Sequence, residues 1–169
     1  EQATYRRQDG LVRAPGTVTF VKGRTSGHST GMTYDLNLDI VTLLEDVFVR
    51  VAPDEQGSGF EVASGFAEFR RLESAIRFEG SLKGRRGAEG IEADAGTAKL
   101  GGESEYLERL ELRGRSRITP VAPTPGTLES MSGRDIDLDY LNAGQTLDRA
   151  VIVDNAQIRL AGERGGEAI

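Results

Sequence analysis

The stretch SGRDIDLDYLNAGQTLDRAVIVDNAQIRL, residues 132–160, decides the fold class of this chain. In its first part Ile136, Leu138 and Tyr140 alternate with aspartates. Alternation with a period of two is typical of a strand that has one apolar and one solvated face. The polar segment NAGQ, residues 142–145, separates this part from a second apolar run. The stretch therefore predicts an antiparallel β-hairpin with one buried face.

Three further copies of this two-strand pattern precede it, beginning at Gly31, Ser64 and Ile91. Their alternating apolar residues are Tyr34, Leu36, Leu38 and Ile40, then Ile76 and Phe78, then Leu110 and Leu112. The first strands of the four copies are predicted to end at Tyr34, Phe69, Leu100 and Tyr140. A single hairpin cannot bury its own apolar face, so the copies must stack on one another. The sequence thus predicts one all-β domain of antiparallel β-hairpin repeats over residues 1–169.

The longer strand of each copy is interrupted near its middle. The interruptions fall at Asp46, Gly80, Gly114 and Asn155. Glycine and asparagine tolerate positive φ, which suits a β-bulge or a bend in a long strand. We therefore expect the long strands to turn a corner at these residues and to pass from one sheet to another.

The composition excludes several classes of function. With 21 basic and 27 acidic residues the net charge is -6, and the arginines are scattered, so nucleic acid is not expected as a partner. Without cysteine there is no thiol catalysis and no cysteine-ligated zinc. No apolar run approaches the roughly 18 residues of a membrane span, and the N-terminus lacks the apolar centre of a signal peptide. The ending GEAI is similar to the start of another strand, so we expect a longer natural protein.

Two segments carry a resemblance to a known family. LELRGRSRI, residues 110–118, and MSGRDIDLDYLNAGQTLDRAVIVDNAQIRLAG, residues 131–162, resemble the C-terminal repeats of the LptC-like and OstA-like proteins of the lipopolysaccharide-transport (Lpt) family. GRTSGHSTGMTYD, residues 23–35, is similar to the opening repeat of that group. The resemblance covers the chain from about Val18 onward. It departs from the family pattern at Gly133, where alanine is more usual, and at Asp46, where glycine or asparagine is typical.

The resemblance implies a fold and a function. The fold is an open β-jellyroll in which two antiparallel sheets face each other as a V. The function is the binding and transfer of lipopolysaccharide, or a related amphiphile, between the inner and outer membranes, without enzymatic activity or a cofactor. Homologous β-jellyroll proteins, joined edge to edge, are implied partners, and an inner-membrane ABC transporter complex is a further candidate. The implied location is the periplasm, with an inner-membrane anchor outside this chain as an option.

The candidate site is the apolar groove between the two sheets, where acyl chains would be held. Its predicted lining residues are Val18, Phe20, Leu36, Leu38, Ile40, Phe69, Ile76, Phe78, Leu110, Leu112, Ile136, Leu138, Val151, Val153, Ile158 and Leu160. The candidate headgroup contacts at the groove rim are Arg70, Arg71, Arg85 and Arg86. Open sheet edges that could pair with another protein are expected near residues 17–21 and 157–161.

Other interpretations of the same residues stay open. The apolar set could form a closed, dry core in a structural or adhesive β-repeat module that binds protein or glycan. Asp135, Asp137 and Asp139 resemble the start of a calcium loop, but Tyr140 stands where the loop needs glycine, so no metal site is predicted. His28 lies beside hydroxyl residues without the order of a catalytic triad, and we interpret it as a turn residue. An envelope enzyme is the least favoured class.

Overall fold

The computed structural model describes residues 3–55, 59–101, 106–123 and 125–162. Its strands are β1 (Thr4–Arg6), β2 (Leu11–Lys22), β3 (Thr25–Asp35), β4 (Ile40–Val51), β5 (Phe60–Ser64), β6 (Phe66–Arg70), β7 (Ala75–Arg86), β8 (Glu89–Gly101), β9 (Tyr106–Pro120), β10 (Leu128–Leu141), β11 (Thr146–Val153) and β12 (Gln157–Leu160). A 3-10 turn, Arg71–Glu73, is the only helical element in these ranges. The predicted all-β class is confirmed. Within the described ranges no helix has the length and apolar character needed to cross a membrane.

The strands form an antiparallel meander in which each strand pairs with the next along the chain. Two departures from this order are informative. β5 and β6 both pair with β4 and with β7, and β11 and β12 both pair with β10. Each of these two pairs is therefore one long strand that is broken in the middle. The four predicted ends at Tyr34, Phe69, Leu100 and Tyr140 each lie one residue before the observed end of a strand.

Irregularities in the long strands align across the sheet. The register shifts lie between Ala14 and Thr17 in β2, between Glu79 and Leu82 in β7, and between Gly133 and Asp135 in β10. All four predicted interruptions have positive φ: Asp46 (48°), Gly80 (81°), Gly114 (72°) and Asn155 (54°). Because a bulge bends its strand, an aligned row of bulges folds the whole sheet along one line. The predicted bends are confirmed.

The fold line divides the sheet into two half-sheets. Half-sheet A contains residues 11–14, 32–35, 40–43, 66–70, 75–79, 95–101, 106–113, 135–141 and 146–153. Half-sheet B contains residues 17–22, 25–30, 45–51, 60–64, 82–86, 89–93, 116–120, 128–133 and 157–160. Their inner faces point toward each other. We call the side opposite the fold line, where the strand ends of the two half-sheets meet, the mouth.

Backbone packing at the fold line explains one of the glycines. The Gly65 N–H donates a hydrogen bond to the Gly80 carbonyl oxygen at 3.0 Å. A Cβ atom at Gly80 would lie 3.1 Å from the Gly65 Cα atom, and Gly80 has a φ of 81°. A side chain at residue 80 would therefore be strained and crowded at once. Glycine lets β7 turn the corner beside the break between β5 and β6.

The core lies between the half-sheets. Leu43, Ile76, Phe78, Leu112 and Ile136 of half-sheet A are fully buried. They pack in one apolar cluster with buried residues of half-sheet B, which are Val47, Val49, Val51, Phe60, Leu82, Ile91, Ala93, Ile118 and Met131. Burying a side chain of this size contributes roughly 1.5–3 kcal/mol to folding. The opposed faces are therefore the main source of stability.

The outer face of half-sheet A carries ion pairs. Arg109 bonds Asp139 at 2.9 Å, and Arg113 bonds Asp137. Asp135 accepts a hydrogen bond from the Gly114 N–H at 3.1 Å, and this bond lowers the pKa of that carboxyl group below its usual value. The aspartates that alternate in the sequence thus face solvent and pair with arginines. Such exposed pairs each contribute little to stability.

The structure corrects two local predictions. β3 ends at Asp35, and residues 36–39 form a turn, so Leu36 and Leu38 are exposed turn residues and not inner strand residues. The Asp35 carboxylate accepts hydrogen bonds from the N–H groups of Asn37 (2.9 Å) and Leu38 (3.0 Å), which stabilises this turn. His28 lies in strand β3 and stacks on Phe48, so it is not a turn residue.

Candidate functional site

The candidate site is the space between the two half-sheets, and strand register places its lining. Residues directly opposite each other in an antiparallel pair share a face. One row across half-sheet A runs through Phe69, Ile76, Ala98, Leu110 and Leu138, and the next contains Phe78, Leu112 and Ile136. The structure therefore brings seven predicted lining residues onto one inner face. A facing row on half-sheet B runs through Val49, Val62, Gly84, Ile91, Ile118, Met131 and Ile158.

The centre of this space is closed. Side chains from both half-sheets leave a cavity of about 20 Å³, and its lining includes Phe60, Leu82 and Ile91 of one half-sheet and Phe78 and Leu110 of the other. That volume corresponds to about one water molecule. The centre of the predicted groove is therefore filled by side chains in this structure. A hydrocarbon chain fits there only when the half-sheets separate.

The apolar inner surface reaches solvent at the C-terminal edge. Ile158 and Leu160 of β12 are 65% and 63% exposed. Their register partners in β10 are Met131 and Leu128, which lie on the inner face. Across the space, Leu147 of β11 is opposite Tyr140 and is also exposed. The terminal strands thus present apolar side chains that continue the buried rows, and no residue in the described ranges covers them.

Two contacts join the half-sheets near the mouth. Phe20 of β2 meets Phe69 of β6 edge to face, with ring centroids 6.0 Å apart. Farther along the sheet, the Arg86 guanidinium of β7 lies 4.0 Å from the centre of the Tyr140 ring of β10. Aromatic pairs and cation–π contacts each contribute on the order of 1 kcal/mol. We call these two the mouth contacts, and either could be broken without disrupting strand pairing.

The four candidate headgroup arginines do not lie together. Arg70 bonds Glu68 and Glu73, and the hydrogen bond to Glu68 raises the pKa of Arg70. Arg71 bonds Asp39 at 3.1 Å in the neighbouring turn. Arg85 is exposed on the outer face of β7. Arg70 and Arg85 therefore point to the outer face. Arg71 lies in the turn at the mouth, where its Nη1 atom also donates to the hydroxyl oxygen of Tyr34 at 3.4 Å. Contact of these arginines with a headgroup stays a prediction.

Arg86 alone among the four faces inward. It alternates with Leu82 and Gly84 on the inner side of β7 and is 8% exposed. Its Nη1 atom lies 3.6 Å from a carboxylate oxygen of Glu89. Neither its Nη2 atom nor the Tyr140 hydroxyl oxygen makes a hydrogen bond of standard geometry with a described residue, although the Arg86 guanidinium is close enough to oppose the rise in the pKa of Tyr140. Burial raises the pKa of Tyr140 to about 12, so this hydroxyl is protonated at neutral pH.

Three more predicted lining residues lie on the wrong face. Val151 and Val153 pair directly with Asp137 and Asp135, which belong to the outer face. The residue between them, Ile152, faces inward opposite Ile136. Ile40 pairs with Arg70, and its neighbour Val41 faces inward instead. The run AVIV carries no alternation, so the sequence alone could not assign its faces.

Sequence reasoning also missed inner residues that a clear pattern marks. Val47, Val49 and Val51 alternate with Phe48 and Arg50, and the three valines are buried on half-sheet B. Leu43 has the same parity as these valines, but the polar residues Glu45 and Asp46 at the bulge interrupt the apolar pattern and hide the continuity. Treating the segments on either side of each interruption as separate strands would have found them.

Comparisons with known proteins support the fold. No family model matches the chain, and no curated protein matches it significantly. The structure is similar to that of LptH, described as the LptA-homologous periplasmic component of the conserved lipopolysaccharide transport device from Pseudomonas aeruginosa. The TM-score is 0.53 at 14% sequence identity, over 59% of this chain and 71% of that chain. The likeness confirms the predicted LptA-like β-jellyroll fold.

Proposed function

We propose that this chain is a periplasmic carrier domain that binds lipopolysaccharide, or a similar amphiphile, by its acyl chains between the two half-sheets. The observation that carries the proposal is the continuous apolar inner surface, which becomes exposed at Ile158 and Leu160. The jellyroll fold shared with LptH supports the same function and the same compartment. Carriage of this kind requires no catalytic group, so the proposed role is not enzymatic.

The energetics favour capture at the C-terminal edge. Each methylene group that leaves water contributes about 0.8 kcal/mol, so a few methylenes against Ile158, Leu160 and Leu147 suffice for a first encounter. Deeper insertion replaces contacts between the half-sheets with contacts to the chain. Because hydrophobic attraction is non-directional, a bound chain can slide along the inner rows without breaking specific bonds.

The closed centre favours a second candidate. A β-sandwich with a filled core, serving as a structural or adhesive module for protein or glycan, would also show a cavity of only about 20 Å³. Extraction of the purified protein with organic solvent, followed by mass spectrometry, separates the two. A carrier yields co-purified amphiphile, whereas a filled module yields none.

Photo-crosslinking tests the location of the bound lipid. We expect a benzophenone amino acid at Ile158 or Leu112 to capture lipopolysaccharide, because both side chains lie on the inner surface. The adjacent residues Arg159 and Arg113 lie on the outer face and provide matched controls. We expect the inner positions to be labelled at least about tenfold more strongly, since the outer side chains face away from the proposed groove. Equal labelling of neighbours would refute the groove.

Both predicted sheet edges are edges in the structure. Residues 17–22 of β2 pair only with β3, and β12 pairs only with β10, within the part of the chain that is described. Unpaired edge strands can accept a strand from another chain. We propose that these edges join this domain to a second copy or a homologous jellyroll, as part of a bridge. An inner-membrane transporter complex and an anchor beside it belong to the same proposal.

A lysine on the edge strand should weaken this assembly. Val21 on β2 is 79% exposed, so Val21→Lys disturbs little within the domain, but charge on an edge disfavours strand addition. We expect at least about tenfold weaker self-association by analytical ultracentrifugation. Leu72→Lys is the control, because Leu72 is 80% exposed but lies in a turn. The edge junction is excluded if both variants associate like the wild type.

A further inference from the structure

We propose that Arg86 and Tyr140 form an oxyanion site at the mouth, which binds the phosphate group of an amphiphile whose chain enters the inner apolar surface. This inference rests on the proposed lipid carriage and makes it more specific. It assigns a chemical class to the headgroup and two residues to its recognition. The other three candidate arginines are not part of this site, because Arg70 and Arg85 point to the outer face and Arg71 bonds Asp39 and Tyr34 in another part of the mouth.

Two unsatisfied donors point to an anion. The Arg86 Nη2 atom and the Tyr140 hydroxyl are both buried, and neither has a hydrogen-bond partner among the residues described. The two residues are 8% and 7% exposed and are in direct contact through the cation–π stack. A buried donor without an acceptor is unfavourable. One oxyanion that accepts from both groups would satisfy them together, and hydrogen bonds from a guanidinium to phosphate are among the stronger ones in proteins.

The stack alone does not explain the arrangement. A cation–π contact uses the face of the guanidinium and leaves its in-plane N–H groups free for other partners. A carboxylate oxygen of Glu89, which is the more exposed partner, lies 3.6 Å from the Nη1 atom of Arg86 and forms an ion pair with it. The Nη2 atom of Arg86, on the buried side of the guanidinium, has no acceptor among the described residues. A contact that served only to hold the two half-sheets together would not need a charged group with an unsatisfied donor at this position.

The site adjoins the apolar surface. Arg86 lines the same small cavity as Phe78, Leu82 and Leu110. A hydrocarbon chain lying against these residues would place its polar end at the mouth, next to the guanidinium. The recognition chemistry therefore matches an amphiphile with a phosphate at one end of an acyl chain. A neutral headgroup would gain the apolar contacts but would not supply an anionic acceptor for the Nη2 atom of Arg86.

The test compares two detergents that share a dodecyl chain. Titration calorimetry on the full chain measures binding of dodecyl phosphate and of dodecyl maltoside, below their micellar concentrations. We expect the wild type to bind dodecyl phosphate at least about tenfold more tightly. Arg86→Met should remove this preference and leave the affinity for dodecyl maltoside within about twofold. Tyr140→Phe, which keeps the ring, should reduce the preference in part.

Matched controls separate the site from general effects. Arg85→Met removes a charge one residue away on the outer face and should leave the preference intact. Circular dichroism and thermal unfolding verify that each variant is folded, and Arg86→Lys, which keeps the charge, serves if the methionine variant is not. Inorganic phosphate alone distinguishes a free anion from a lipid headgroup, and we expect it to bind far more weakly than dodecyl phosphate.

Each contrary outcome has a definite meaning. If Arg86→Met lowers the affinity for both detergents equally, Arg86 only stabilises the contact between the half-sheets, and the oxyanion site is refuted. If inorganic phosphate binds as tightly as dodecyl phosphate, the headgroup assignment fails. If the wild type binds both detergents equally, the site is refuted while lipid carriage stands. If it binds neither, lipid carriage itself fails.

Discussion

A covalent link between residues 20 and 69 is expected to abolish lipid uptake. Phe20 and Phe69 belong to opposite half-sheets, and their ring centroids are 6.0 Å apart at the mouth. The cavity between the half-sheets is only about 20 Å³, so a chain can enter only if they part. The protein has no cysteine, so Phe20→Cys with Phe69→Cys creates a unique pair for a short, reducible bis-thiol crosslinker. We expect uptake of a fluorescent amphiphile to fall by at least about tenfold and to recover on reduction.

A second cysteine pair controls for the chemistry. His28 and Phe48 stack with centroids 5.4 Å apart, but they lie on neighbouring strands of the same half-sheet. Linking His28→Cys to Phe48→Cys should leave uptake unchanged, because it does not connect the half-sheets. Unimpaired uptake in the linked 20–69 variant would show that lipid binding needs no separation of the half-sheets at this end of the mouth.

The largest loss of stability is expected for Phe78→Ala. Phe78 is fully buried and lines the cavity between the half-sheets. Truncating a buried phenylalanine costs about 3–5 kcal/mol, because apolar contacts are lost and a larger void remains. Urea unfolding measures this loss as a lower midpoint with an unchanged slope. An apolar ligand that fills the void should restore part of the stability, since a ligand that binds only the folded state shifts the equilibrium toward it.

Phe48→Ala is the matched control for this variant. Phe48 lies on the outer face of half-sheet B and is partly exposed. Its truncation should cost about 1 kcal/mol, because half-buried side chains lose less transfer free energy and leave no cavity. Dodecyl maltoside should stabilise the Phe78 variant more than the Phe48 variant. The same ligand-induced shift in both would indicate binding outside the inner surface.

Local residue types made the architecture predictable. The alternation of Ile136 and Leu138 with aspartates fixes which side is buried, because successive strand residues point to opposite faces. Gly80, Gly114 and Asn155 mark the bends, because these residue types accept positive φ without strain. Since four copies repeat the same order, the stack of hairpins and its fold line follow from short-range patterns alone.

Assignments failed where a pattern was locally ambiguous. The alternation of Leu36 and Leu38 with polar residues continues through a turn, because the Asp35 side chain binds backbone N–H groups that a strand partner would otherwise use. The run AVIV, residues 150–153, is apolar at every position, so only its pairing with β10 shows that Ile152 faces inward. Arg85 and Arg86 are equivalent as residue types, and strand parity alone separates them.

The sequence by itself determined that this chain is an all-β stack of hairpins, where its strands bend, and that each strand has one apolar face. Only the tertiary structure decided how closely the two inner faces approach, which arginine lies between them and which side chains meet at the mouth. The physical reason is the distance along the chain between the residues that determine each feature. Face and bend depend on neighbours one or two residues away, whereas the contacts of Phe20 with Phe69 and of Arg86 with Tyr140 join residues about fifty apart, and their formation depends on side-chain volumes throughout the core.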